Sequence, residues 1–137
     1  MIWPDALQEL IEEFIEIEDK FEKLEVLMDF SSEVIELPSD EWDESNRVHG
    51  CQSQAHVVVT LEDEKVSISC GADAKIVQGL MGIMSIAVNG STCEEVIALT
   101  PDFAEEMGIL NSLTPSRSNG FRTMFDMVQN NVRKSIE

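Results

Sequence analysis

Apolar residues recur every three or four positions at the start of the chain, which is the spacing of one face of an α-helix. Pro4 suits the first turn of this helix, and residues 19–22 resemble a capping box that would begin a second one. We expect the second helix to end at Leu37 and Pro38. The two stripes are Leu7, Leu10, Ile11, Phe14 and Ile17, and then Phe21, Leu24, Leu27, Met28 and Val34 or Ile35. The pattern predicts a hairpin of two helices, each with one apolar side.

The apolar spacing changes from helical to alternating after residue 54. Residues 55–61 and 66–70 each place apolar side chains on one face, and a polar turn at 62–65 joins them, so an antiparallel hairpin is predicted. Residues near Val48 are a candidate third strand. The connection at 38–53 is polar, and a loop of this length without regular structure is uncommon unless it is functional.

The rest of the chain again predicts helices. Asp73 is expected to cap a helix that runs to about Val88 and is apolar over much of its circumference, which is typical of a central helix packed on a sheet. Further helices are predicted after Thr92, Thr100 and Thr114. We therefore expect an α+β fold in a single domain over residues 1–137, with a small antiparallel sheet packed by helices. The expected core is Val57, Val59, Ile68, Val77, Leu80, Met84, Phe125 and Val128.

The charge of the chain narrows the classes of partner. The 137 residues include 27 acidic and 9 basic side chains, which gives a net charge of −18. Such a chain repels nucleic acid and anionic membrane surfaces. Residues 1–45 alone carry 16 acidic and 2 basic side chains, a net charge of −14. This acidic segment either keeps the protein soluble or speeds its encounter with a basic partner.

The chain is predicted to remain in the cytoplasm. It has no apolar run of about 20 residues that would cross a membrane, and residues 1–8 lack the basic start and apolar stretch of a secretory signal. Disulfides are rare in a reducing compartment. The three cysteines are therefore expected to serve packing or chemistry.

The three cysteines differ in their predicted environments. Cys70 ends a strand on its apolar side and is expected in the core. Cys93 lies in the first turn of a short helix, where a packing or surface position is expected. Cys51 follows Gly50 in a polar loop, so packing alone does not explain it, and it is the candidate for chemistry.

Two kinds of site are alternatives for the Cys51 loop. Structural zinc sites favour closely spaced ligand pairs such as Cys-x-x-Cys, and the chain has none. A cysteine hydrolase needs a base beside the thiol, and the sequence does not show whether His49 or His56 reaches it.

Residues 47–54, Arg-Val-His-Gly-Cys-Gln-Ser-Gln, resemble the signature of the SufE family of sulfur-acceptor proteins in iron–sulfur cluster assembly. Residues 73–80 and 113–120 are similar to the family's Asp-Ala-x-Ile-Val-x-Gly-Leu and Leu-Ser/Thr-Pro-Ser-Arg-x-x-Gly segments, and residues 7–14 resemble its opening acidic helix. The order and spacing agree along the chain. One departure is Gly71-Ala72-Asp73, where many members have Asp-Ser-Asp, so this chain keeps only the second acid.

The resemblance implies a non-enzymatic accessory protein that receives sulfur on Cys51, activates a SufS-like or CsdA-like cysteine desulfurase and passes sulfur to a SufBCD-like scaffold. Pyridoxal phosphate belongs to the desulfurase, and this chain needs no cofactor or metal of its own. The implied fold is similar to that of U-type cluster scaffolds. Arg117 is a candidate stabiliser of the thiolate or persulfide, with a surface ion pair as the alternative. The implied loop and partner rim is Arg47, His49, Gly50, Gln52 and Asp73.

Other classes of function stay open at this point. A cluster or metal scaffold would need several convergent ligands beside Cys51. A purely regulatory desulfurase-binding module would not need Cys51. The resemblance does not separate the SufE branch from the CsdE-like branch, and a homodimer is an open alternative to a monomer.

Overall fold

The computed structural model describes residues 3–50 and 53–136. Cys51 and Gln52, on which two of the site predictions fall, lie outside the described residues. Short 3-10 helices cover Phe30–Glu33, Ser39–Glu41 and Glu44–Asn46. The strands are β1 (Ile35–Glu36), β2 (Ala55–Glu62) and β3 (Lys65–Ala72). The helices are α1 (Asp5–Ile15), α2 (Lys20–Asp29), α3 (Lys75–Val88), α4 (Cys93–Ala98), α5 (Asp102–Glu106), α6 (Ile109–Ser112) and α7 (Pro115–Ser135). The α+β class is confirmed.

The predicted strand hairpin supplies β2 and β3 of a three-stranded mixed sheet with the order β1-β3-β2, in which β3 is the central strand. Strands β2 and β3 are antiparallel, with Val57 opposite Cys70. The turn residues Asp63 and Glu64 both have positive φ, 52° and 67°, as a tight two-residue hairpin turn requires. The third strand is not the segment near Val48. It is β1, which runs parallel to β3.

The prediction that the second helix extends to Leu37 is wrong. Helix α2 ends at Asp29, and after one 3-10 turn the chain becomes extended and joins the sheet, where the Leu37 amide donates to the Cys70 carbonyl over 2.9 Å. Val34 and Ile35 are β-branched, which favours extended backbone. Their apolar spacing continued the helical stripe, although Val34 ends the 3-10 turn in an extended conformation and Ile35 begins β1.

Helices α1 and α2 pack mainly on other helices and not on each other, so the predicted hairpin is not a closely packed pair. Helix α1 contacts α5 and α3, and α2 contacts α3 and α6. On α2, Phe21 points into solvent with 74% of its surface exposed, whereas Lys23 is buried. The Lys23 ammonium donates to the Met107 carbonyl over 3.0 Å and so ties α2 to the end of α5.

Helix α3 is the central element, as its apolar circumference predicts. It packs against β3, α1, α2 and α7. Asp73 does not cap it, because the N-cap residue is Ala74 and makes no side-chain capping bond. The predicted core residues belong to one contiguous apolar cluster, in which Val59 is partly buried and the other seven are fully buried.

The C-terminal helices begin where the capping signals place them. Thr92 and Glu95 make both bonds of a capping box at the start of α4. Thr114 accepts from the Arg117 amide at the start of α7, and the buried Gln129 side chain of α7 donates to carbonyls at the end of α4. Among the described helices, none combines the length and apolar composition needed to cross a membrane.

Candidate functional site

The base of the Cys51 loop is closed by main-chain pairing. The Val48 amide donates to the Ala55 carbonyl over 2.8 Å, and Arg47 forms an antiparallel bridge with His56. Gly50 has a φ of +86°, a left-handed backbone conformation that residues with a side chain rarely adopt. A Cβ at this position would meet no atom within 4 Å. Backbone conformation and not crowding therefore favours glycine next to Cys51.

Two predicted site residues hold the end of the loop that follows Cys51. The Arg117 guanidinium donates through Nη1 to Ser53 Oγ over 2.9 Å. The Gln54 amide donates to Asp73 Oδ1 over 3.0 Å, and the Asp73 amide donates back to the Gln54 carbonyl over 3.2 Å. Asp73 is thus a tether of the loop and not a helix cap.

The end of the loop that precedes Cys51 is arranged around Glu44. Its carboxylate lies 3.9 Å from Arg47 Nη1 and 3.3 Å from His49 Nε2, and all three side chains are at least one-third exposed. Of the predicted rim residues, Arg47 and His49 therefore lie beside Glu44 before Cys51, whereas Asp73 contacts Gln54 after it. Within the described part of the chain, no acidic side chain lies within 4.0 Å of Arg117, so the alternative of a surface ion pair is not seen there.

A buried polar cluster adjoins the loop and was missed by sequence reasoning. His56 is 3% exposed and stacks on Trp42, with ring centroids 4.9 Å apart. Its Nδ1 lies 2.7 Å from Asn46 Oδ1, and its Nε2 lies 3.1 Å from Gln54 Oε1. Asp43 caps the 3-10 helix that carries Asn46, and the Ser45 hydroxyl, followed by nearby amides and His56, holds the pKa of its carboxyl below the usual range. The capping-box spacing of Asp43 and Asn46 is the signal that could have identified this segment.

Gly71, the position at which the chain departs from the family pattern, lies against this cluster. A Cβ at Gly71 would sit 2.5 Å from Trp42 Nε1 and 2.7 Å from the Leu37 carbonyl oxygen. The indole also donates to that carbonyl over 3.0 Å. The Trp42 indole thus occupies the space that an acidic side chain at position 71 would need.

A small apolar cavity lies beneath the base of the loop, between α3 and α7. Its volume is about 10 Å³, roughly the space of one water molecule. Its walls are Val48, Ala55, Val77, Leu80, Arg117, Gly120, Phe121 and Met124. The cavity is therefore bordered by Val48 and Ala55, which pair at the loop base, and by Arg117.

The two described cysteines occupy the predicted environments. Cys70 is 1% exposed, and burial raises the pKa of its thiol to about 12, so it stays protonated at neutral pH. Cys93 is half-buried at the first position of α4. Among the described residues, no group of three or more His, Cys, Asp or Glu side chains is placed to hold a metal ion.

The fold defines a small α+β protein in which residues near the starts of α3 and α7 hold the chain that follows Cys51. The chain belongs to the SufE family, because the family model of the Fe-S metabolism associated domain matches residues 8–132. Its role is therefore in iron–sulfur metabolism.

Two SufE-like relatives agree with this assignment, and a solved structure shares the fold. The chain is 36% identical over 126 residues to an uncharacterised SufE-like protein of Synechocystis, covering 92% of this chain and 79% of that protein. It is 32% identical to SufE-like protein 1, chloroplastic/mitochondrial, of Arabidopsis thaliana, over 92% of this chain and 34% of that longer protein. The solution structure of a hypothetical protein from Thermus thermophilus matches with a TM-score of 0.83 and 26% identity over 98% of both chains.

Proposed function

We propose that this protein is a sulfur acceptor that takes a sulfane sulfur from a cysteine desulfurase onto Cys51 and passes it to a cluster-assembly scaffold. The observation that carries the proposal is the tethered loop at the family signature. Gly50 precedes Cys51 in the left-handed conformation, and Ser53 and Gln54 follow it on contacts with Arg117 and Asp73. The family membership supports the same reaction class.

The transfer needs one thiolate and no external oxidant. The Cys51 thiolate attacks the outer sulfur of the donor persulfide, a new S–S bond forms at Cys51, the donor S–S bond breaks, and the donor cysteine leaves as a thiolate. The transferred sulfur keeps its oxidation state. A second cysteine beside Cys51 would discharge the persulfide as a disulfide, and the buried, protonated Cys70 is unsuited to that attack.

The flanks of the loop suit both steps of a carrier. Arg117 places a positive charge two residues along the chain from Cys51 through its bond to Ser53, and a nearby cation favours the thiolate form of a cysteine. A persulfide also needs shelter from reductants, and the apolar residues around the cavity at the loop base are the described candidates for that role.

The partner is a SufS-like or CsdA-like desulfurase that carries the pyridoxal phosphate, and the recipient is a SufBCD-like scaffold. The donor cysteine must reach bonding distance of Cys51, so the docking surface surrounds the loop and includes Arg47, His49 and Asp73. This chain acts as the accessory protein and not as the enzyme, in a reducing compartment such as the cytoplasm.

Intact-mass analysis tests the proposal. The protein is incubated with a cysteine desulfurase and cysteine, and the wild type gains the mass of one or more sulfur atoms. Cys51→Ser gains none and loses the ability to stimulate the desulfurase. Cys93→Ala is the matched control and still accepts sulfur, because the adjacent Thr92 pairs with Lys65 at the turn end of the β2–β3 hairpin and not at the end that carries the loop. Normal loading of Cys51→Ser contradicts the assignment, and retention of a coloured cluster after reconstitution with iron and sulfide favours a scaffold instead.

A further inference from the structure

The register of the β2–β3 hairpin decides which main-chain groups of β2 point away from the sheet. In an antiparallel pair, alternate residues exchange hydrogen bonds with the residue opposite, and the residues between them direct their main-chain groups to the other edge. The two-residue turn makes its flanking residues a bonded pair. Counted back along β2, Thr60 and Val58 therefore bond to β3, whereas Val59 and Leu61 direct their amides and carbonyls outward.

Hydrogen bonds made by β3 support this alternation. Ile68, which lies opposite Val59, donates its amide to Asn89 Oδ1 over 2.9 Å. Val66, which lies opposite Leu61, donates its amide to a carbonyl in the turn after α3 over 2.7 Å. Both β3 residues thus direct their amides away from β2 and exchange no bond with the residues opposite them.

The outer edge of β2 is covered at the end that adjoins the loop. There, residues 47–48 pair with Ala55 and His56. Within residues 3–50 and 53–136, no group bonds to the outward amides and carbonyls of Val59 and Leu61. The part of the edge nearer the turn therefore presents two donors and two acceptors of the main chain.

This part of the edge lacks the features that usually keep strands of different molecules apart. Edge strands are commonly protected by charged side chains, proline or a bulge. Residues 57–61 are Val-Val-Val-Thr-Leu, and they lie opposite β3 residue for residue without a bulge. Leu61 is 40% exposed. An edge of this kind can bind an extended segment of another protein as an added strand, through main-chain hydrogen bonds.

Charge favours a different protein over a second copy of this chain. A second copy would bring a net charge of −18 against an equal charge, and this repulsion opposes self-pairing. The turn beyond Leu61 presents the exposed side chains of Glu62, Asp63 and Glu64. Opposite charges on neighbouring strands attract, so the turn favours a basic residue at that end of the added strand.

Position favours the protein that docks over the Cys51 loop. Leu61 lies along β2 from Ala55, which pairs at the loop base, by about 20 Å at about 3.3 Å per residue. A typical interface covers about 800 Å² of each partner, a patch roughly 30 Å across. A partner centred near the loop base on this side therefore reaches the outward groups of both Val59 and Leu61.

We propose that the outer edge of β2 at Val59 and Leu61 binds an extended segment of the cysteine desulfurase as an added strand, with a basic residue of that segment facing the acidic turn. This inference rests on the proposed function, because it names a surface that holds the sulfur donor. Main-chain bonds along the edge contribute affinity, and the side chains around the loop contribute specificity.

Proline at an outward position tests the edge. Leu61→Pro removes one outward amide hydrogen and no bond of the hairpin, a change that edge strands tolerate. Its binding to a SufS-like desulfurase, measured by titration calorimetry without cysteine, should be at least about fivefold weaker than that of the wild type, because about one hydrogen bond is lost. Leu61→Val keeps the amide hydrogen and should bind as the wild type does. Thr60→Pro, which removes a bond to β3, should unfold at a lower urea concentration than Leu61→Pro.

Hydrogen exchange of the wild type, measured for each main-chain amide, tests the same edge without a substitution. In the protein alone, the amides of Val59 and Leu61 should exchange at least about tenfold faster than those of Val58 and Thr60, which bond to β3. Binding of the desulfurase should slow exchange at Val59 and Leu61 at least about tenfold and leave Val58 and Thr60 nearly unchanged.

Equal binding by Leu61→Pro and Leu61→Val, or unchanged exchange at Val59 and Leu61 in the complex, would overturn the inference. Slower exchange on raising the concentration of this protein alone would also overturn it, because the edge would then bind a second copy. Absence of binding by the wild type would exclude the desulfurase as the occupant. None of these results needs sulfur transfer. Binding through the edge without sulfur on Cys51 refutes the proposed function alone, whereas sulfur loading with an unprotected edge refutes only the added strand.

Discussion

The bond from Arg117 to Ser53 joins α7 to the Cys51 loop across 64 residues of sequence, and it can be tested by removing either partner. Ser53→Ala removes the acceptor and leaves the positive charge in place. Arg117→Met removes both the bond and the charge. The two variants therefore separate the hold on the loop from the electrostatic effect on the thiolate.

The expected magnitude follows from the geometry. A hydrogen bond from a charged donor contributes about 1.5–3 kcal/mol when it is buried. Here the donor–acceptor distance is 2.9 Å but both side chains are only partly buried, so we expect about 1 kcal/mol. Loss of the bond should raise the open fraction of the loop about fivefold, since about 1.4 kcal/mol corresponds to a factor of ten.

The assay is the rate at which iodoacetamide alkylates Cys51 relative to Cys93 in the same molecule. At pH 9, where an ordinary thiol is largely ionised, both variants should react about fivefold faster than the wild type. At pH 7 Ser53→Ala should remain faster than Arg117→Met, because only the latter loses the cation that favours the thiolate.

The double variant supplies the control for this interpretation. Ser53→Ala with Arg117→Met should be no faster at pH 9 than either single variant, because the same bond is lost in each. If Cys51 of Ser53→Ala is alkylated at the wild-type rate, the bond to Arg117 does not hold the loop. Additive effects in the double variant would show that the two residues act separately.

Three other predictions concern docking and stability. Arg47→Glu should change activation of the desulfurase at any salt concentration. Glu12→Gln with Glu13→Gln should slow activation only at low ionic strength, because charges remote from the interface act on the association rate and are screened by salt. Equal effects of the two changes at high salt would place docking on the acidic helices. Gly71→Asp should lower the free energy of unfolding in urea by at least about 3 kcal/mol, since it buries a charge where no side chain fits; unchanged stability would refute the crowding. Burial raises the pKa of the Cys70 thiol from 9.0 to about 12, so its contribution to stability is complete below pH 9 and is lost as the pH rises toward 12. Between pH 8 and pH 10.5, Cys70→Val should therefore lose less stability than the wild type. Equal losses in the two proteins would exclude Cys70 as the cause.

The parts of the fold that local signals encode were predictable. The β2–β3 hairpin depends on alternation and a short polar turn, and the start of α4 depends on the capping box of Thr92 and Glu95, so a few neighbouring residues suffice. Strand β1 depends instead on a partner more than 30 residues away. Its two residues carry no alternation to detect, and the apolar spacing of Val34 and Ile35 continued a helical pattern.

The site shows the same division between local and distant information. The signature around Cys51 and the resemblance to the SufE family identified the loop and named Arg117 and Asp73. Their contacts could not be read from spacing, because they depend on how α7 and the end of β3 pack against the loop. Asp73 had the position of a helix cap, but its carboxylate accepts from the Gln54 amide, and the start of α3 lacks a side-chain cap.

Gly71 connects the departure from the family pattern to the polar cluster behind the loop. Where many members have an acid, this chain has a residue without a side chain, and the vacated space holds the Trp42 indole. The indole in turn stacks on His56, which faces Gln54. An acid at position 71 and a stacked indole cannot share that space, so the two arrangements exclude each other. The loop that carries Cys51 is consequently held in this protein by Arg117, by the main-chain pair of Gln54 with Asp73, and by a buried histidine whose place depends on the glycine.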